Sequence, residues 1–168
     1  KQWKDSDRIY RVNYSKQLPG SERIKNATTP LPVMPALQEY FGDKIEQSTR
    51  TFAYIGIIDK GTAKFRDTMM FVDPDFVKMF QFKVLAGSME NTLADRSNIA
   101  ISEEVARRHF GNRDPIGKVM TINFMSTKVP FKVTAVYRIP GNTLASCLLE
   151  GDFRRPGKIA CFRPFFMI

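Results

Sequence analysis

Bulky and polar residues alternate at the start of the chain. In DRIYRVNY, Tyr10, Val12 and Tyr14 stand between Arg11 and Asn13, which predicts a half-buried strand from Asp7 to Tyr14. A loop follows. Thr29, Pro30 and Pro32 then mark a helix start, where proline costs nothing because first-turn amides lack partners. The helix body is Met34 to Phe41, with Leu37, Tyr40 and Phe41 on one face, Gly42 closing it and Pro35 required in the first turn.

The segments Ile45 to Ile58 and Ala63 to Val72 are rich in Thr, Ile, Phe and Tyr, and Asp59-Lys60-Gly61 separates them, so they predict a β-hairpin. In FVDPDFVKMFQF, Asp73 is the expected cap of a short helix, Pro74 its first residue and Asp75 a favourable charge at its positive end. Phe76, Val77 and Phe80 form its apolar face, and a strand returns at Phe82 to Leu85. Beyond a polar loop, Asn98 to Ile101 predicts a strand and Ser102 the cap of a helix carrying Glu103 and Glu104 and ending at Gly111. A turn through Asp114, Pro115 and Gly117 leads into a strand with Met120, Ile122 and Phe124 on one face. The last clear strand, FKVTAVYR, alternates Phe131, Val133, Ala135 and Tyr137 with its neighbours. The pattern predicts an α+β protein with two β-rich lobes and a few short helices.

A chain of 168 residues, 43% hydrophobic with fourteen Phe, builds a core without metals or disulfides. The formal charge of +9 suggests nucleic acid, but its distribution argues against it. The excess is +4 over residues 1–68, +3 over 69–143 and +2 over 144–168. Doublets such as Arg107-Arg108 and Arg154-Arg155 do not extend into a basic, aromatic-interleaved stripe. No run of about 18 apolar residues spans a bilayer, so the segment is expected to be water-soluble. It opens at Lys1, consistent with a piece of a longer protein whose membrane segments lie outside it. Cys147 and Cys161 form no CxxC, which argues against zinc and thioredoxin-like chemistry and leaves both a disulfide and free thiols open.

Candidate chemistry is sparse. His109, the single histidine, sits at a helix C-terminus, where dipole and unpaired carbonyls favour an imidazole. The pairs Asp73 with Asp75 and Glu103 with Glu104 read as helix-start carboxylates rather than acid/base pairs. The Phe and Met residues of FVKMFQF, with Met69 and Met70, read as core rather than a substrate groove. Asn26-Ala27-Thr28 matches a glycosylation acceptor but reads as incidental. No GxSxG, HExxH, Walker or GxGxxG motif is present. No catalytic, cofactor-binding or metal residue is assigned, and no cofactor is expected.

The ordered set DRIYRV, FVDPDFVKMFQFKVLAG, NIAISEEVARRHFG, DPIGKVMTIN and FKVTAVYRIPGNT resembles the periplasmic core domain of MacB/FtsX-type ABC transporter permeases. The resemblance implies a non-catalytic domain between two transmembrane helices of a permease, on the periplasmic side of the bacterial inner membrane. Its implied partners are the transmembrane helices of the same permease, a second permease copy, a cytoplasmic ATPase and a periplasmic adaptor. It also implies two lobes, a porter-like βαβ lobe and an inserted, Sabre-like mixed lobe. These map to residues 1–68 for the first porter unit, 69–139 for the inserted lobe and 140–168 for a truncated or atypical return to the porter lobe. After Thr143 the sequence LASCLLEGDFRRPGKIACFRPFFMI departs from the family pattern, and an unfinished lobe favours dimerisation or exchange of the tail. The expected function is transmission of ATP-driven movement to efflux or extraction of a peptide, lipoprotein or small hydrophobic molecule. The alternative is a module that recognises a peptide or adaptor.

Overall fold

The computed structural model describes residues 7–26, 28–60, 63–139 and 158–160. The chain divides into two compact units, at Ser48 and Thr49.

In the first unit, β1 (Tyr14–Lys16) pairs antiparallel with β2 (Ile24–Asn26). The strand expected over Asp7 to Tyr14 is therefore confined to its last residue and the two that follow. Its alternation has no buried side, because Tyr10 and Val12 are exposed. The helix α1 (Val33–Phe41) forms where the prolines place it, with Pro32 at the cap position and Pro35 in the first turn. None of its residues is buried, and Tyr40 and Phe41 are exposed.

The second unit is built on a seven-stranded mixed sheet. The hairpin of β3 (Thr51–Lys60) and β4 (Ala63–Val72) keeps one register along its whole length, from Thr51 opposite Val72 to Lys60 opposite Ala63. The first strand thus starts later than the expected Ile45, and Gly61 of the expected turn lies outside the described residues. After β4 come the short α2 (Phe76–Met79), β5 (Lys83–Gly87), α3 (Met89–Ala94), β6 (Asn98–Ser102) and α4 (Glu103–Phe110). The strands β7 (Val119–Phe124), β8 (Thr127–Arg138) and β9 (Lys158–Ala160) complete the sheet.

Strand order is β5-β8-β6-β9-β4-β3-β7, and β7 pairs in addition with β8. Six strands therefore close into a ring, with β5 paired outside it on β8. The ring closes through short ladders in places, since β3 meets β7 only at Ile57 and Ile58 and β4 meets β9 only at Thr68 to Met70. The long β8 makes the ring work, because Thr127 to Lys132 face β7 while Lys132 to Tyr137 face β6.

The expected boundary between residues 68 and 69 does not divide the structure. It cuts β4, whose ladder with β3 runs unbroken across it, and β3 also pairs with β7 through Ile57 and Ile58. A strand hydrogen-bonded on both sides of a cut cannot belong to two cores. The expectation of two β-rich lobes fails for the same reason, since all but one two-stranded pair of the described β structure lies in the second unit.

The core lies inside this ring. Met69, Phe71, Ile99, Ile101, Ile122, Phe131 and Val133 are buried, with Val105 of α4 among them. The period-two patterns held for Met120 and Ile122 of β7 and for Phe131, Val133, Ala135 and Tyr137 of β8, whereas Phe124 is only partly buried and Val136, on the other face, is buried too. Gly56 is needed where β3 crosses this core, because a Cβ there would stand 2.6 Å from Met69 Sδ and 2.8 Å from Ile122 Cγ2. The α3 helix was not anticipated, although Ser88 Oγ accepts from Asn91 N and Glu90 occupies the first turn. The β7–β8 turn uses Met125 and Ser126 at φ 49° and 65°, without the glycine or asparagine such a turn prefers.

Candidate functional site

Ion pairs in the second unit tie α4 to the strands and one strand end to another. Ser102 ends β6 and caps α4, its Oγ accepting from Val105 N at 3.2 Å. Glu103 and Glu104 enter the first turn and Arg107, Arg108 and His109 the last, so the charges oppose the helix dipole at both ends. Gly111 closes the helix at φ 63°.

Arg108 donates to Asp67 Oδ1 at 2.6 Å and to Glu104 at 3.0 Å. Asp67 projects from β4 in the inward register of Met69 and Phe71 and its side chain is 1% exposed. His109 Nε2 lies 3.4 Å from the second Asp67 oxygen, and Phe65 packs edge-on against the imidazole at 5.1 Å. A buried carboxylate is tolerable only with charge and hydrogen bonds supplied on the spot. Arg108 and His109 supply them.

A second link ties the start of α4 to the end of β8. Arg138 donates through Nε and Nη2 to Glu103 at 2.8 and 3.2 Å, the fork geometry that suits a carboxylate. This bonding from Arg138 holds the Glu103 carboxyl below its ordinary range, aided by the charges of Arg138 and Arg107, and raises Arg138. A third link joins the start of β3 to the end of β4. Arg50 donates through Nε, Nη2 and its backbone N–H to Asp73, each at 2.9 Å. The Asp73 bond raises the Arg50 guanidinium further.

The helix cap expected at Asp73 falls two residues later. The cap position of α2 is Asp75, which makes no side-chain cap bond and instead pairs with Lys78 at 2.8 Å. Asp73 serves the fork because Arg50, twenty-three residues earlier, arrives beside it through the β3–β4 pairing. Asp73 and Asp75 thus take different partners, as do Glu103 and Glu104. His109 meets Asp67 and Phe65, partners that its position in the helix did not reveal. Among the described residues, no three His, Cys, Asp or Glu lie together as a metal site. Asp67 was missed, and its signal is a lone carboxylate in the apolar register of FRDTMMFV.

In FVKMFQF, Phe76 and Phe80 are buried and pack at 4.8 Å. Val77 and Phe82 instead help line a shallow cleft of about 540 Å³ between α2 and α3, with Val84, Met89 and Leu93. Met69 is wholly buried and Met70 partly so. Ala27 of the acceptor-like triplet, Arg154, Arg155, Cys147 and Cys161 lie outside the described residues.

The profile of the MacB-like periplasmic core domain matches residues 1–152. The chain belongs to this family. MacB-like domains are parts of ABC-type permeases, and the α+β fold with few short helices is shared with solved relatives. One is the extracellular domain of the noncanonic ABC-type transporter YknZ from Gram-positive bacteria, at 14% identity and a TM-score of 0.55, covering 76% of this chain and 58% of that one. Another is a domain of a permease protein from Porphyromonas gingivalis, at 23% identity and a TM-score of 0.55, covering 76% and 54%. The periplasmic region of MacB from Actinobacillus actinomycetemcomitans matches at 22% identity and a TM-score of 0.46, covering 60% and 48%. This MacB-like chain thus spans about half the length of these solved structures. Comparison with curated proteins gave no match. Among the described residues, no helix is long and apolar enough to cross a membrane.

Proposed function

We propose that this domain is a non-catalytic relay on the periplasmic side of the bacterial inner membrane, passing ATP-driven movement of its permease to efflux or extraction of a substrate. The substrate class is a peptide, a lipoprotein or a small hydrophobic molecule. Its partners are the transmembrane helices of the same permease, a second permease copy, a cytoplasmic ATPase that carries the hydrolysis, and a periplasmic adaptor. One observation carries the reading. The Asp67, Asp73 and Glu103 carboxylates take arginine partners, and His109 stands against Asp67, so that α4 and the strand ends are fastened together. A relay must move as a rigid body, and a closed strand ring with cross-linked ends suits that task.

The test uses the parent permease reconstituted with its ATPase. Arg108→Ala and Arg138→Ala should lower substrate transport while ATP hydrolysis continues, that is, uncouple the two. Unchanged transport in both variants, or substrate turnover by the domain that is lost in His109→Gln, would overturn the reading.

The cleft between α2 and α3 favours a second reading, a module that binds an apolar peptide or adaptor segment. Saturable binding to the domain, abolished by Leu93→Arg, would select it over the relay.

A further inference from the structure

Outside the ring, β5 is hydrogen-bonded on one side only, to β8, and stands at the end of the strand order. Among the described residues, the main-chain groups along its other side have no hydrogen-bond partner. Two of its apolar side chains are open to solvent, Val84 at 40% and Leu85 at 38% exposure. Val84 is also a wall of the cleft of about 540 Å³, with Val77 and Phe82 on the α2 side and Met89 and Leu93 on the α3 side.

An unpaired strand edge selects its partner by conformation, because an extended segment alone offers N–H and C=O groups at the matching spacing. The cleft adds a demand for a large apolar side chain. Charge adds a third. Lys83 begins β5 and Glu90 lies in the first turn of α3, just beyond the strand, and among the described residues neither has an ion-pair partner. Leu85 is a bulge, lying between Val84 opposite Tyr137 and Ala86 opposite Val136, with no residue of β8 facing it. A bulge and an edge lysine deter indiscriminate strand pairing, so the edge suits a strand whose charge answers Lys83.

We infer that β5 takes up an extended peptide of another protein as a further, antiparallel strand. Its large apolar side chain enters the cleft between α2 and α3, a carboxylate meets Lys83 and a cation meets Glu90. The inference rests on the second reading above, that the domain binds an apolar segment, and adds the binding mode and the order basic, apolar, acidic along the peptide. Antiparallel addition continues the β5–β8 pattern and is the more stable ladder. The β5 of a second copy is the poorer occupant, since bulge would meet bulge and its Val84 and Ala86 would leave the cleft unfilled.

The test uses the full chain, isotope-labelled for NMR, and a synthetic probe, the acetylated and amidated peptide RTVFVTD. Saturable binding should shift the amide signals of Lys83 to Gly87 and slow their exchange with solvent. The N–H groups of a strand point alternately to its two sides. Of two probes N-methylated at alternate residues, one should therefore bind as the parent probe does and the other should not bind. Lys83→Glu should reverse the preference at the last position, favouring RTVFVTR over RTVFVTD, and Leu93→Arg should abolish binding of every probe. Binding that leaves the β5 amides unmoved, or that survives both N-methylation patterns, overturns strand addition while the cleft keeps its apolar ligand. No binding by any probe overturns the inference and the second reading with it. Shifts of the same amides with chain concentration, in the absence of probe, overturn it in favour of a second copy.

Discussion

Arg108 on α4 reaches Asp67 on β4 across forty-one residues of sequence and meets its buried carboxylate at 2.6 Å. The pair joins the helix that follows β6 to a strand on the far side of β9, and His109 completes it from the next position. The sheet and α4 are thus tied by an ion pair as well as by apolar packing.

Removing one partner of this pair strands the other. Arg108→Ala should lower the unfolding free energy by about 3 kcal/mol, the low end of the cost of leaving a buried charge uncompensated, because Arg108 itself is partly exposed. Asp67→Leu combined with Arg108→Met should cost less than Arg108→Ala, since no charge is then left behind. Urea denaturation of the three chains measures the ordering, and a double variant less stable than Arg108→Ala would contradict this account.

The Glu103 and Arg138 link carries a pH signature. Hydrogen bonding from Arg138 lowers the Glu103 carboxyl, so its folded value lies below its unfolded one. The stabilisation is therefore complete above the ordinary glutamate value of about 4.3 and is lost as pH falls through the lower folded value. Carboxyl NMR titration should place the Glu103 midpoint below that ordinary value, and Arg138→Gln should move it upward. An unmoved midpoint would remove Arg138 as the cause.

Two glycines are fixed for different reasons. Gly87 stands at φ 74° with the Thr134 carbonyl where a Cβ would go, so Gly87→Ala brings backbone strain and a clash with backbone together. Gly56 meets side chains of Met69 and Ile122, which have more freedom to shift. Both alanine variants should melt earlier than the parent in calorimetry, Gly87→Ala by more, with a loss on the order of 2 to 3 kcal/mol.

Local signals made much of the second unit legible. Ser102 announced α4, Gly111 its end, and the alternation of FKVTAVYR the central strand, because capping and pleat depend on residues only a few positions apart. The same local logic misread Asp73, whose side chain can satisfy either nearby helix amides or a distant arginine. It missed Asp67 as well, because a carboxylate in an apolar register makes sense only once its cation is known.

The sequence by itself determined the limits of α1 and α4, most of the apolar faces of β7 and β8, and the motif order that marks a MacB-like domain. Only the tertiary structure decided that β3 and β4 share a sheet with β5 to β8, that Lys158–Ala160 fills the gap between β4 and β6, and which arginine each carboxylate meets. The reason is range. Caps, turns and side-chain alternation follow from bonds and sterics within a few residues, whereas strand partners and buried ion pairs are chosen by the closure of the whole sheet.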